Sequence, residues 1–84
     1  SCKVSANQKS VELTKNELRI LSLLMQNVGT VVSRQRIQEE LWQSDEFVDD
    51  NTLTVNISHL RNTLASIGVE DFVMTRRGLG YVIE

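Results

Sequence analysis

Between Asp49 and Gly68 the chain reads DDNTLTVNISHLRNTLASIG, and four side chains within it, Val55, Ser58, His59 and Asn62, are of types that could do chemistry together. At about 100° per residue they fall on one face of an α-helix, with Thr54 and Arg61 on its flank. The face is polar yet nearly free of Glu, Asp and Lys, in which an ordinary solvated helix face is rich. A hydroxyl, an imidazole and a carboxamide can donate to or accept from base edges in a major groove, and Val55 can pack on a thymine methyl. The alternative is an amphipathic helix that binds nothing, and the helix alone does not decide between the two.

A second group is Thr75-Arg76-Arg77-Gly78. An arginine held on a tight turn can enter a narrow minor groove, where the negative potential is enhanced. The threonine hydroxyl can bond a phosphate. Adjacent arginines at a turn are also common on plain solvated hairpins. Arg34 and Arg36 open another helical stretch, whose free amides favour a phosphate; surface solubility is the competing explanation there.

Enzyme chemistry finds little support. His59 is the only histidine and follows Ser58 directly, so on a helix the two point about 100° apart and form no nucleophile–base pair. Glu39-Glu40 and Asp49-Asp50 lie in an acidic stretch with no pocket signature. Gly78-Leu79-Gly80 is too short to cradle a phosphate and precedes a strand. Cys2 is a single cysteine with no His/Cys cluster, so neither a metal site nor an internal disulfide is expected, nor any cofactor.

The elements that must hold these groups follow from periodicity. Leu53, Ile57, Leu60, Leu64 and Ile67 recur at helical spacing and oppose the reading face, with Asp50 or Asn51 as the expected cap and Gly68 as the end. Ahead of them, weak alternation from Cys2 to Leu13 predicts two short strands turning at Asn7-Gln8. Thr14-Lys15-Asn16-Glu17 reads as a capping box for a helix whose core face is Leu18, Leu21, Leu24, Met25 and Val28, closed by Gly29. Val31-Val32 is a brief extended step. Ser33 caps a second helix, Arg34 to about Trp42, with Ile37 and Leu41 inside. A loop from Gln43 to Asp50 carries much of the acid, with Phe47 and Val48 pinning it to the body. Trp42 and Tyr81 read as core or rim residues. Phe72 to Arg76 and Tyr81 to Ile83 are strand-like around the glycine-bearing turn, which makes a C-terminal hairpin. The expected fold is therefore α+β: short N-terminal antiparallel strands, three helices and a β-hairpin wing, a winged helix-turn-helix. In that layout the third helix enters a major groove and the hairpin tip meets the backbone or the adjacent minor groove.

The 84 residues are enough for one small domain, residues 1–84, with one core of modest stability. No apolar run approaches the roughly 20 residues of a membrane span, no signal peptide is evident, and cysteine usage fits a reducing cytoplasm. The formal net charge is −2, on the acidic side for a nucleic-acid binder. Distribution matters more than the sum. Glu39, Glu40, Asp45, Glu46, Asp49 and Asp50 crowd a stretch without Lys or Arg, and the remainder is net basic. Two surfaces with different partners are implied.

Taken together, LTKNELRILSLL, VVSRQRIQEELW, NTLTVNISHLR and TRRGLGY resemble the OmpR/PhoB family of response-regulator output domains, over Val11 to Val82. DEFVDDNTLTVN looks most like the BceR/GraR-like subgroup, which answers cell-envelope stress and antimicrobial peptides in Gram-positive bacteria. The resemblance implies a winged helix that controls transcription by binding double-stranded DNA at tandem half-sites. It further implies a phosphorylatable receiver domain, absent from this chain, and a sensor kinase that acts on it. Carried over by position, it implies that Val55, Ser58, His59 and Arg61 contact bases and nearby phosphates. Arg34, Trp42, Asn51 and Thr75 would contact the backbone, and Arg77 would enter the minor groove. It implies that the loop holding Asp45 and Glu46 touches RNA polymerase in some members. The chain departs from the family where arginines are frequent and Asn51, Ser58 and His59 stand instead, which implies weaker binding alone and a different base preference. Arg76 stands where an apolar residue is usual, and only about two of the family's four N-terminal strands fit before Thr14. The isolated chain is expected to be a monomer that contacts no membrane. The competing function is a winged-helix protein-interaction module without DNA binding, which the negative net charge would allow.

Overall fold

The computed structural model of the chain describes residues 3–43 and 48–84. The readings made above for Cys2, Asp45, Glu46 and Phe47 lie outside the described residues. The elements run β1 (Lys3–Ala6), β2 (Lys9–Glu12), α1 (Lys15–Met25), α2 (Arg34–Trp42), α3 (Asp50–Ala65), β3 (Met74–Arg76) and β4 (Gly80–Val82). This is the order of a winged helix-turn-helix, α+β as the sequence predicts.

β1 and β2 pair antiparallel with Val4 opposite Val11. The two residues between them, Asn7 and Gln8, both have positive φ (52° and 64°), as a two-residue type I′ loop requires. The Asn7 side chain then donates to the Ile67 carbonyl at 2.8 Å, fixing the hairpin tip to the end of α3.

Each helix starts on a side-chain cap. At α1 the Thr14 hydroxyl accepts from the Glu17 amide at 3.1 Å and the Glu17 carboxylate accepts from the Thr14 amide at 2.7 Å, the capping box read from the sequence. Glu17 is buried, and these bonds are what make its burial tolerable. Ser33 caps α2. At α3 the cap is Asp49, not Asp50 or Asn51: its Oδ1 accepts from the Thr52 amide at 2.7 Å, and Asp50 becomes the first helical residue. Three adjacent cap formers leave the choice to tertiary contacts, and Asp50 is drawn off to Arg34.

The core lies between the helices. Leu53, Ile57, Leu60, Leu64 and Ile67 are all buried, as the stripe predicts, although Ile67 lies past the last turn of α3. Each such side chain contributes about 1.5–3 kcal/mol on burial. Ile37 and Leu41 of α2 join them, with Val48 from the loop. On α1 the expected face needs correction. Its buried residues are Ile20, Leu21, Leu23 and Leu24, with Leu18 packed at the edge, while Met25 and Val28 are 53% and 57% exposed. The helix stops at Met25, so the spacing that would bring Val28 inward no longer applies. Gly29 has the positive φ expected of it, but it closes a turn beyond the helix and donates its N–H to the Ile83 carbonyl at 2.7 Å. Gly68 likewise follows α3 by several residues and does not end it directly.

The first wing strand is shorter than predicted, beginning at Met74, and the second is shifted back by one residue to begin at Gly80, with Thr75 opposite Tyr81. The Val31-Val32 step becomes a third, minimal strand through a Val32–Tyr81 bridge. Val32 N–H donates to the Tyr81 carbonyl at 2.8 Å and Tyr81 N–H to the Val32 carbonyl at 2.9 Å. The base of the wing is thereby attached to the chain that leads into α2.

The cap of α3 carries a pH dependence. The Asp49 carboxylate is held below its ordinary pKa of 3.8 by the Thr52 backbone N–H. A carboxylate depressed in the folded state stabilises the fold at pH values above 3.8, and that contribution fades as the pH falls through the lower folded value. Asp49→Asn should therefore flatten the acid limb of the stability curve, read by thermal melts between pH 2 and 5, and leave the remaining limb to other carboxylates. An acid limb identical to wild type would mean that Asp49 caps nothing.

Candidate nucleic-acid interface

α3 carries the candidate face outward, as helical spacing predicts. Val55, Ser58, His59 and Asn62 are all exposed, and Val55 is one of the few large apolar side chains in the open. The polar atoms of the Ser58, His59 and Asn62 side chains bond to nothing among the described residues. This is unlike the flank of the same helix. Asn56 folds back to the Thr52 carbonyl at 3.0 Å, and Thr54 donates to the Asp50 carbonyl at 3.2 Å. Asn51 is exposed in the first turn.

The arginines behave differently from the sequence-based expectation. Arg34 is committed four ways: Nε to Asp50 Oδ1 at 2.9 Å, Nη1 to the Tyr81 hydroxyl at 2.5 Å, and Nη2 to the Asp50 carbonyl and Thr54 Oγ1, both at 2.8 Å. Burial acts to lower its pKa, but the bond to Asp50 and the interactions with Tyr81 together raise it above the ordinary value, so Arg34 stays charged. Arg61 sends Nε to the Val73 carbonyl at 2.9 Å and Nη2 to Thr75 Oγ1. Arg36 pairs with Glu40 at 3.0 Å one helical turn on, and Arg76 pairs with Glu84 at 2.6 Å. The Arg76 side chain thus turns toward Glu84. Of these arginines and Arg77, only Arg77 has no partner among the described residues. It is exposed at the wing tip, on a turn closed by the Leu79 N–H to the Arg76 carbonyl at 2.9 Å.

Trp42 is partly exposed at the end of α2, and its indole N–H donates to the Val48 carbonyl at 3.2 Å. The bond ties the end of α2 to Val48, just ahead of α3. Thr75 is exposed on β3, but its hydroxyl already accepts from Arg61. A shallow groove bounded by Arg34, Thr75, Arg77, Leu79 and Tyr81 runs along the wing toward α2.

Two residues that sequence reasoning undervalued organise this surface. The Tyr81 ring has the Arg34 guanidinium 5.8 Å and the Arg61 guanidinium 5.7 Å from its centroid, within cation–π range. Asp50, read as a cap, receives Arg34 instead. No local signal marks either role, because the partners lie 16 to 47 residues apart in sequence.

Residues 7–83 match the family described as transcriptional regulatory protein, C terminal. The sensory transduction protein BceR of Bacillus subtilis (strain 168) is 43% identical over 79 residues, which cover 94% of this chain and 34% of BceR. The response regulator protein GraR of Staphylococcus aureus (strain MRSA252) is 38% identical over 79 residues, covering 94% of this chain and 35% of GraR. The chain thus spans about a third of the length of these relatives. Among solved structures, the C-terminal domain of the nisin resistance regulator NsrR, a lantibiotic response regulator, matches with a TM-score of 0.87. Its sequence identity is 40%, over 98% of this chain and 84% of that one.

Proposed function

The chain belongs to the family of C-terminal domains of transcriptional regulatory proteins, of the OmpR/PhoB type, and on that premise we propose that it binds double-stranded DNA sequence-specifically to regulate transcription. The observation that carries the proposal is the outer face of α3, where Ser58, His59 and Asn62 keep their hydrogen-bonding capacity unspent beside exposed Val55. Such a face suits base edges and a thymine methyl in a major groove. Arg77, exposed on the wing, supplies the minor-groove contact, and Asn51 meets the backbone at the start of α3. Trp42 and Thr75 would lie beside the backbone path; Arg34 has most of its donors committed within the chain, while Arg61 keeps Nη1 for a phosphate.

The wider reading follows the relatives. The domain is the output unit of a cytoplasmic two-component regulator, driven by a receiver that a sensor kinase phosphorylates, and paired copies occupy tandem half-sites. The acid of the loop from Gln43 to Asp50 would repel DNA, so we propose that Asp45 and Glu46 serve a protein contact, with RNA polymerase. No catalytic residue, metal or cofactor enters this mechanism.

The test is selection of bound sites from random duplexes, followed by titration of the selected site with variants. Arg77→Ala should weaken specific binding by about 1–3 kcal/mol. Ser58→Ala and His59→Ala should change which bases are selected, not lower affinity uniformly. If no sequence is enriched at any salt concentration, the DNA reading fails and the protein-interaction reading replaces it. An unchanged affinity for a folded Arg77→Ala variant would remove the wing from the interface.

A further inference from the structure

Resting on the DNA-binding reading, we infer that Arg61 is a positioning residue that fixes the wing against α3, so that Arg77 and the α3 reading face meet adjacent grooves at a set angle. Its fork reaches across the gap between the two elements. Nε holds the Val73 carbonyl at 2.9 Å, Nη2 holds the Thr75 hydroxyl, and the guanidinium lies 5.7 Å from the centre of the Tyr81 ring. Tyr81 is itself immobilised. Its backbone pairs with Val32 in both directions, and its hydroxyl accepts from Arg34, which in turn holds Asp50 in the first turn of α3. One ring and two guanidinia therefore connect the start of α2, both ends of the reading helix and both wing strands. Arg77 lies two residues past Thr75, at the end of the strand that Arg61 grips.

The alternative is that Arg61 simply neutralises a phosphate. The two roles differ in what they require of the side chain. A phosphate contact needs a positive charge, which lysine supplies. The clamp needs a planar fork that bonds two acceptors at once and stacks on a ring, which lysine does not reproduce.

The experiment compares Arg61→Lys, Thr75→Val and Arg77→Ala in the 84-residue chain, first without DNA and then with it. Without DNA, amide hydrogen exchange is followed through the wing, residues 75–80. Arg61→Lys and Thr75→Val should both speed exchange there while α1 stays protected. The Thr75 variant keeps the Arg61 charge, so the result does not hang on one substitution. With the selected duplex, Arg61→Lys should lose about 5- to 150-fold in affinity, the conversion of the wing's 1–3 kcal/mol. Arg77→Ala added to it should cost less than about twofold more, since the wing is already misplaced. Minor-groove protection from hydroxyl radicals should vanish beside the site, while major-groove protection under α3 remains. Unchanged wing exchange in both clamp variants would overturn the inference. So would a Lys variant that keeps wild-type affinity, or one whose loss multiplies with that of Arg77→Ala. If wild type binds no duplex, the DNA reading falls and with it the purpose of the clamp, while the exchange data still decide whether Arg61 holds the wing.

Discussion

Alanine at Gly80 should cost the fold on the order of 3 kcal/mol or more, a large share of the stability of a domain this small. Gly80 has φ +152°, which L side chains rarely adopt, and a Cβ there would sit 2.0 Å from the Val32 carbonyl oxygen and 2.8 Å from its carbon. Both obstacles are backbone, so no rotamer change relieves them. The chain must instead open the Val32–Tyr81 pair, and that pair attaches the wing to the segment entering α2. Gly78, two residues earlier, is the control. Its φ is +73°, but a Cβ would meet nothing within 4 Å, so alanine there should cost only the left-handed backbone penalty of about 1–2 kcal/mol. Urea denaturation of both variants checks the difference. Equal costs would mean that the close approach at Gly80 is relieved without disturbing the wing. Because Tyr81 also carries the two arginines, Gly80→Ala should abolish specific DNA binding even under conditions where the helices remain folded.

The contrast between these glycines is of a kind that sequence does not display. RRGLG announces a turn, and a turn is there, but whether a glycine is needed for its φ or for a neighbour's carbonyl depends on a strand 48 positions away. The same division runs through the chain. The α3 stripe was legible because helical periodicity alone sorts Leu53, Ile57, Leu60, Leu64 and Ile67 to one side, and the reading face follows as its opposite. The capping box at Thr14 and Glu17 was legible because it is made within four residues. Met25 and Val28 were misjudged because periodicity says which residues share a face but not where packing stops the helix. The internal partners of the arginines were not legible for a related reason. Sequence counts their charges but does not show that Asp50, Thr54, Tyr81, Val73 and Thr75 offer acceptors within reach. Of the candidate site, the shared exposed face of Val55, Ser58, His59 and Asn62 follows from helical spacing, while the bonds that Arg34 and Arg61 make within the chain do not.

Those internal bonds set how the domain should bind. Each phosphate neutralised lowers log affinity by roughly 0.9 per unit of log salt. Arg34, Arg36 and Arg76 are ion-paired inside the chain and Arg61 bonds only neutral acceptors, so with Arg61 and Arg77 as the arginines here not paired with an acid among the described residues, one copy should neutralise few phosphates. Its salt slope should accordingly be shallow, about 1–3 per copy, and its grip on a single half-site weak. The proposed reading face should add discrimination between bases but little sequence-independent affinity, because Ser58, His59 and Asn62 carry no fixed charge. A protein built this way gains from pairing more than one with a strongly basic face. Two copies held on half-sites about one helical turn apart convert the second binding event into an intramolecular one. Avidity should then exceed single-copy affinity by about 10²–10⁴ with no new contact. We therefore expect the isolated chain to sediment as a monomer, to bind a one-site duplex weakly, and to bind a two-site duplex hardly better. Two copies joined by a flexible linker long enough to reach both half-sites should recover the full factor, and only on the two-site duplex with correct spacing. Inserting five base pairs between the half-sites turns the second one to the opposite side of the helix and should remove most of the gain. The check is a titration of one-site, two-site and respaced duplexes at several salt concentrations, with sedimentation of each complex. Tight, salt-resistant occupancy of a single half-site by the monomer would mean that the engaged arginines exchange their internal partners for phosphates at little cost. Arg34 would then belong to the contact surface after all.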